Sequence, residues 1–135
     1  MKNVLYLFRA MALACLLMAG NCKKSGGGNN EPSLSVELNP AAGSNQSPAP
    51  GPDFPLAVTI KSTLPTSGTK IDVTAKPDVA GSTPFFTESR NSTTATNNFT
   101  ITGSPRSVTI RLDVVVTSLS NSSNKWSGSF TYSRK

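Results

Sequence analysis

Histidine is absent from the 135 residues of this chain, so the side chain that most often serves as a general base and as a metal ligand is missing. Both cysteines fall within the first 22 residues, so the rest of the chain contributes no disulfide. Charged side chains make up only 15% of the chain, and the basic ones are scattered rather than interleaved with aromatics. These shortages argue against a nucleic-acid partner and against most catalytic chemistry.

Carboxylates are the remaining candidates for catalysis, and from residue 39 onward the chain holds five of them: Asp53, Asp72, Asp78, Glu88 and Asp113. Asp72 and Asp113 alternate with apolar residues, so we expect both on a solvent-facing sheet surface. We expect cross-strand ion pairs there with basic neighbours: Lys70, Lys76 and Arg111. A pair of carboxylates of the glycosidase type is the enzymatic alternative. We therefore predict no catalytic residue, no cofactor or cofactor-binding residue and no metal ligand, and expect that the protein is not an enzyme.

The first 22 residues have the layout of a secretory signal peptide. Lys2 and Arg9 precede an apolar stretch over residues 10–20, and Cys22 follows just before a polar run rich in Lys, Ser, Gly and Asn. The apolar stretch is about half of the 20 or so residues that a membrane-spanning helix needs. The pattern predicts a cleaved signal peptide over residues 1–21.

The junction Leu17-Met-Ala-Gly-Asn-Cys22 resembles the lipobox of bacterial lipoproteins, in which the cysteine is acylated and becomes the mature N-terminus. It departs from the usual pattern at Asn21, where Gly, Ala or Ser is common, and at Ala19, where Leu is common. The resemblance implies lipidation of Cys22 and attachment to the membrane through that lipid. Two alternatives stay open: processing near Cys15, and an ordinary secreted protein in which Cys22 is a free thiol.

The expected location is outside the cytoplasm, anchored to the bacterial membrane by lipid. Lys23 and Lys24 follow the cysteine, where some surface lipoproteins carry acidic export signals. Basic residues close to anionic headgroups each contribute about 1 kcal/mol of attraction. Because the residues after Cys22 are basic and not acidic, we favour the periplasmic side of the outer membrane.

The mature chain divides by composition into a tether and a domain. Residues 22–32 are predicted as the lipidated cysteine with a flexible tether, and residues 33–135 as the domain. Within the domain, residues 39–53 form a Pro/Gly-rich connection that we expect to bury no core. The alternation from Leu34 to Leu38 predicts one short strand, which either docks on the domain or stays with the tether.

From residue 54 onward the apolar residues recur with a period of two, which is typical of strands that are covered on one face. The longest such run places five apolar residues on one face: Val108, Ile110, Leu112, Val114 and Val116. With the strand near Leu34 and a short one near Phe85 and Phe86, the count is about seven. We predict an all-β, immunoglobulin-like antiparallel β-sandwich, because stacking two sheets buries every one-sided strand.

The segment from Val114 to Phe130 is similar to small exported immunoglobulin-like proteins of Bacteroidetes-type bacteria. The resemblance covers about 20 residues and implies export and the sandwich fold. It implies no activity.

We expect a monomeric, non-catalytic binding or structural module whose partner is a protein or a glycan. Its contact residues are predicted on the loops Gly81–Asn97 or Ser118–Asn124. The alternative is a carbohydrate-binding accessory lipoprotein of a glycan-uptake system, suggested by three aromatics at alternating positions near the end of the sequence: Trp126, Phe130 and Tyr132. The same spacing is typical of the core face of a strand, which is the interpretation we favour.

Overall fold

The computed structural model describes residues 30–135, and this part of the chain is an all-β sandwich. The seven strands are β1 (Val36–Asn39), β2 (Phe54–Ile60), β3 (Thr69–Pro77), β4 (Phe86–Ser92), β5 (Thr96–Ile101), β6 (Thr109–Ser118) and β7 (Lys125–Ser133). The predicted fold class is confirmed. The predicted signal peptide, Cys15 and the lipidation site at Cys22 lie outside the described residues.

The strands form a three-stranded sheet in the order β1-β2-β5 and a four-stranded sheet in the order β4-β3-β6-β7. All neighbours within the sheets are antiparallel. In the constant-type immunoglobulin arrangement the fourth strand joins the first, second and fifth. Here β4 pairs with β3 instead, which makes that sheet four strands wide.

The core lies between the inward faces of the two sheets. Alternation buries every second residue of β6, from Ile110 to Val116, at 0% exposure. Phe54 of β2 stacks on Tyr132 of β7, with ring centroids 4.0 Å apart. The buried Tyr132 hydroxyl shares a 2.8 Å hydrogen bond with Ser104 Oγ, so this polar group is satisfied inside the core.

Two details of the strand predictions were wrong. Val108 was placed in the apolar row of β6, but it is 37% exposed. Ser107 adopts a left-handed backbone with φ of 60°, so the turn ends there and the ladder starts at Thr109. The predicted contact loop Gly81–Asn97 contains all of β4 and the start of β5, so only its first residues and the 93–95 turn are connections.

The segment that begins at Leu34 docks on the domain. Leu34 and Leu38 are buried, and β1 pairs with β2 from Val36 opposite Ile60. The two residues before Ser33, assigned above to the tether, also contact the domain. Asn124 Nδ2 donates to the Glu31 carboxylate at 2.7 Å and to the Pro32 carbonyl at 2.9 Å.

The Pro/Gly-rich connection leaves the three-stranded sheet after β1, runs parallel to β7 at the edge of the other sheet, and returns to β2. The amides of Gly43, Gln46 and Ala49 donate to carbonyls of β7 at 2.7 to 2.8 Å. Ala49 is buried, contrary to the expectation that this connection contributes nothing to the core. We call residues 43–49 the strap, because they cover part of the outer edge of β7.

The antiparallel order gives the sandwich two distinct ends. The described chain begins at the proximal end, where Leu34 N donates to Asn124 Oδ1 at 2.9 Å and Lys61 N donates to the Ser35 carbonyl at 2.8 Å. Three connections lie at this proximal end: residues 61–68, 93–95 and 119–124. Three others lie at the opposite, distal end: residues 40–53, 78–85 and 102–108.

Candidate functional site

The outward face of the four-stranded sheet is polar, and its ion pairs run along single strands. Lys70 Nζ lies 3.0 Å from Asp72 Oδ1 on β3, and Arg111 Nε lies 2.9 Å from Asp113 Oδ1 on β6. The expectation of cross-strand pairs was wrong here. Residues two apart share a face and are separated by only about 6.6 Å, which long cationic side chains span easily. Each of these two carboxylates is therefore held by a cation of its own strand.

Asp72 is also tied to the neighbouring strand, since the hydroxyl of Ser89 donates to Asp72 Oδ1 at 2.7 Å. Its pKa lies below the ordinary value. Partial burial acts to raise that pKa, but hydrogen bonds from Ser89 and Lys70 and the positive charges of Lys70 and Lys125 outweigh burial. A carboxylate held ionised in this way is a poor general acid.

A notch of about 280 Å³ opens at the distal end beside the loop that follows β3. Its charged lining residues carry both signs: Lys76, Asp78, Arg111 and Asp113. The hydrogen bond to Asp113 raises the pKa of the Arg111 guanidinium and occupies its Nε. Val79, at 69% exposure, projects from the adjoining loop. The notch thus presents one paired cation, Arg111, and one lysine, Lys76, that forms no ion pair among the described residues.

A larger cleft of about 730 Å³ lies at the proximal end. The chain itself forms one wall through Asn30, Glu31 and Pro32. Opposite stand residues 63–67 and Leu119, whose side chain is 44% exposed. The first described residue, Asn30, therefore lies in this cleft.

A third depression, of about 330 Å³, lies on the outward face of the three-stranded sheet, and we call it the β2 trough. Nine residues line it: Asn39, Pro40, Phe54, Pro55, Leu56, Ala57, Asn98, Phe99 and Thr100. The register places Asn39 of β1 and Asn98 of β5 directly opposite Ala57 of the central strand. The small side chain of Ala57 therefore leaves a hollow between two amides. None of the nine lining side chains is ionisable.

The predicted aromatic row does not form a surface platform. Phe130 and Tyr132 are buried, which confirms the core-face interpretation for both. Trp126 is half-buried against the core, and its ring lies over Gly128, where an added Cβ would overlap it. The three aromatics therefore pack inward instead of offering a row of exposed rings to a sugar.

The structure separates the other predicted contact regions. The connection 119–124 lies at the proximal end beside residues 30–34. The predicted region Gly81–Asn97 is divided by β4, so residues 81–85 lie at the distal end and residues 93–95 at the proximal end. Sequence reasoning missed the β2 trough, since Asn39 was assigned to the connection 39–53 and no sequence signal singled out Asn98. Only the register of three strands, which the sequence does not reveal, brings these amides together across Ala57.

Within residues 30–135 there is no group of three or more acidic or cysteine side chains placed to hold a metal ion. In the same range no helix is long and apolar enough to cross a bilayer.

The chain was compared with models of protein families and with curated proteins, and neither comparison found a match.

Proposed function

We propose that the protein is a non-catalytic binding module held outside the cytoplasm by a lipid on Cys22, on the periplasmic side of the outer membrane. The observation that carries the proposal is the position at which the chain joins the sandwich. Residues 30–34 lie at the proximal end, bonded to Asn124. An anchor on Cys22 would hold that end towards the membrane and leave the distal end and both sheet faces open to a partner.

The length of the intervening chain sets the scale of this arrangement. Asn30 follows Cys22 by eight residues, which span at most ~28 Å when fully extended. The longest strands, of 9 to 10 residues, add about 30 Å between the proximal and distal ends. A lipid-anchored domain would thus stay close to the bilayer while presenting its distal end well beyond the headgroups.

The non-catalytic part of the proposal rests on the state of the carboxylates. Glu37, Asp72, Glu88 and Asp113 each form an ion pair with a lysine or arginine. Acid–base catalysis by two carboxylates needs one group held protonated and another held ionised at a shared cleft. These four paired carboxylates do not provide that division of roles. Asp53 and Asp78 form no ion pair among the described residues, but the carboxylate that shares the notch with Asp78 is Asp113, which Arg111 holds.

The test of the anchor compares two cysteine variants of the full chain expressed in a bacterial host. We expect Cys22→Ala to move from the membrane fraction to the soluble fraction and to lose the mass of the lipid. Cys15→Ala is the matched control and should remain in membranes. Retention of Cys22→Ala in membranes would overturn the lipid anchor, and release of Cys15→Ala instead would move the anchor to that residue.

The side of the outer membrane that the domain faces is tested on the same cells. Protease added to intact cells should leave the anchored protein whole, and protease added after the outer membrane is permeabilised should degrade it. Degradation in intact cells would place the domain on the cell surface and contradict the periplasmic part of the proposal.

A further inference from the structure

We infer that the β2 trough is a binding site for a neutral saccharide. The inference rests on the proposed function as a binding module and names the ligand class for one of its surfaces.

The geometry of the trough is fixed by three paired strands. Asn39, Ala57 and Asn98 stand in one row across β1, β2 and β5, and Pro55 and Thr100 face each other in the next row of the same face. Adjacent strands lie about 4.8 Å apart, so the two asparagine Cα atoms are separated by about 10 Å. The two amides thus flank a floor made of Ala57 and the ring of Pro55.

The chemistry of the lining matches a ligand with many hydroxyl groups and no charge. Each asparagine amide both donates and accepts hydrogen bonds, and the Thr100 hydroxyl does the same. Among the described residues, no hydrogen bond engages the side-chain amide of Asn39 or Asn98, while the Asn98 carbonyl accepts from Arg90. Pro40, Pro55 and Ala57 supply carbon surface for the C–H face of a sugar ring. The volume of about 330 Å³ lies within the range of small-ligand sites.

An extended peptide is a poorer fit to this surface. Capture of a peptide as an added strand uses free backbone groups at the edge of a sheet. The trough lies over β2, the central strand, whose backbone is paired with β1 on one side and β5 on the other. Only side-chain amides, a hydroxyl and apolar carbon are offered to a ligand there.

A second copy of the chain is also a poor occupant. A stable protein interface buries roughly 800 Å² on each partner. The outward face of three strands of 4, 7 and 6 residues covers only about 270 Å² in projection, taking 4.8 Å between strands and 3.3 Å per residue. The surface is therefore sized for a small ligand.

The experiment uses the full protein, purified in detergent, on an array of neutral oligosaccharides, acidic oligosaccharides and uncharged proline-rich peptides. We expect binding to at least one neutral oligosaccharide and to neither of the other two classes. Ala57→Leu fills the hollow and Asn98→Ala removes an amide, so each should weaken binding by about tenfold or more.

Two matched controls separate loss of the site from loss of the fold. Thr59→Leu places the same leucine side chain on the same face of β2 outside the trough, and Asn91→Ala removes an exposed amide on the other sheet. Both controls should bind within about twofold of the unaltered protein, because neither residue lines the trough. All four variants should keep a cooperative thermal transition.

Three outcomes would overturn the inference. A neutral saccharide whose binding survives Ala57→Leu would lie elsewhere on the protein. Binding of peptides or acidic sugars that Ala57→Leu abolishes would give the trough a different ligand class. If no neutral oligosaccharide on the array binds, the saccharide assignment is rejected. The membrane fractionation of Cys22→Ala tests the lipid anchor independently of this result.

Discussion

The hydroxyl of Tyr132 is a polar group buried in the core of this sandwich, and its titration has consequences for stability. Its side chain is fully buried and bonded to Ser104 Oγ at 2.8 Å. Burial raises the pKa of the Tyr132 phenol, and the hydrogen bond with Ser104 only partly offsets that increase. The folded state therefore favours the neutral phenol more strongly than the unfolded chain does.

The raised pKa predicts a loss of stability at alkaline pH. Its contribution is fully present below the ordinary tyrosine pKa of about 10 and disappears as the pH rises through the higher value of the folded state. Tyr132→Phe should cost about 1 kcal/mol at neutral pH, because Ser104 loses its partner, and should flatten this alkaline decline. Urea unfolding as a function of pH measures both effects.

Ser104→Ala is the matched control for that experiment. It removes the same hydrogen bond but retains the titrating phenol, so the alkaline decline should persist. An identical pH profile for Tyr132→Phe and the unaltered protein would contradict the assignment of the decline to Tyr132.

At the level of elements, β6 tests the division of each strand into a buried and a solvated face. Val114 is fully buried opposite Val73, whereas Val115 is only half-buried on the polar face. Val114→Asp places an unpaired carboxylate in the core and should cost ~3 kcal/mol or more, out of a total of roughly 5 to 15 kcal/mol. Val115→Thr should change the free energy of unfolding by less than about 1 kcal/mol.

Urea unfolding of the two variants decides the assignment, and comparable losses would refute it. If Val114→Asp does not fold, Val114→Ala is the measurable substitute. That variant should lose about 2 kcal/mol through the cavity it leaves.

The elements illustrate how far sequence reasoning reaches. The alternation of apolar and polar residues is a local property of the sequence, so it predicted strands at β2, β3, β5, β6 and β7. Because each of these strands has one apolar face, the same pattern also predicted two stacked sheets. The pairing of the strap with β7 joins residues more than 80 positions apart, such as Asn45 and Thr131, and carries no periodic signal. The sequence likewise did not predict the β2 trough, because the trough depends on long-range pairing that sets which residues of three strands share a row. The short strand near Phe85 and Phe86 extends to Ser92, since its polar residues pair with β3 as an edge strand.

At the scale of the whole molecule, the anchor and the sandwich together predict an orientation. If a lipid on Cys22 holds the protein, the proximal end faces the bilayer and the distal end points away. Single cysteines at Ser122, in the proximal connection 119–124, and at Val79, in the distal loop, sample the two ends. Both positions are exposed, and a Cys22-lipidated chain processed there has no other cysteine to react with a label.

We expect a fluorophore on Ser122→Cys to be quenched by vesicles that carry a quencher in the lipid headgroups. The same fluorophore on Val79→Cys should be quenched far less, because the strands hold it about 30 Å further away. Fluorescence of both labelled proteins, reconstituted in the same vesicles, is the measurement. Equal quenching of the two positions would exclude an end-on orientation.

The strap also bears on when the domain becomes folded. Its residues lie early in the domain, yet their hydrogen-bond acceptors are carbonyls of β7, from Ser129 to Ser133. Contacts of such high sequence separation form late, because a long loop must close before they contribute any stability. A chain that crosses a membrane unfolded would therefore keep its strap undocked until β7 emerges on the far side. If the chain is exported in this way, the topology would postpone completion of the fold until translocation is nearly finished.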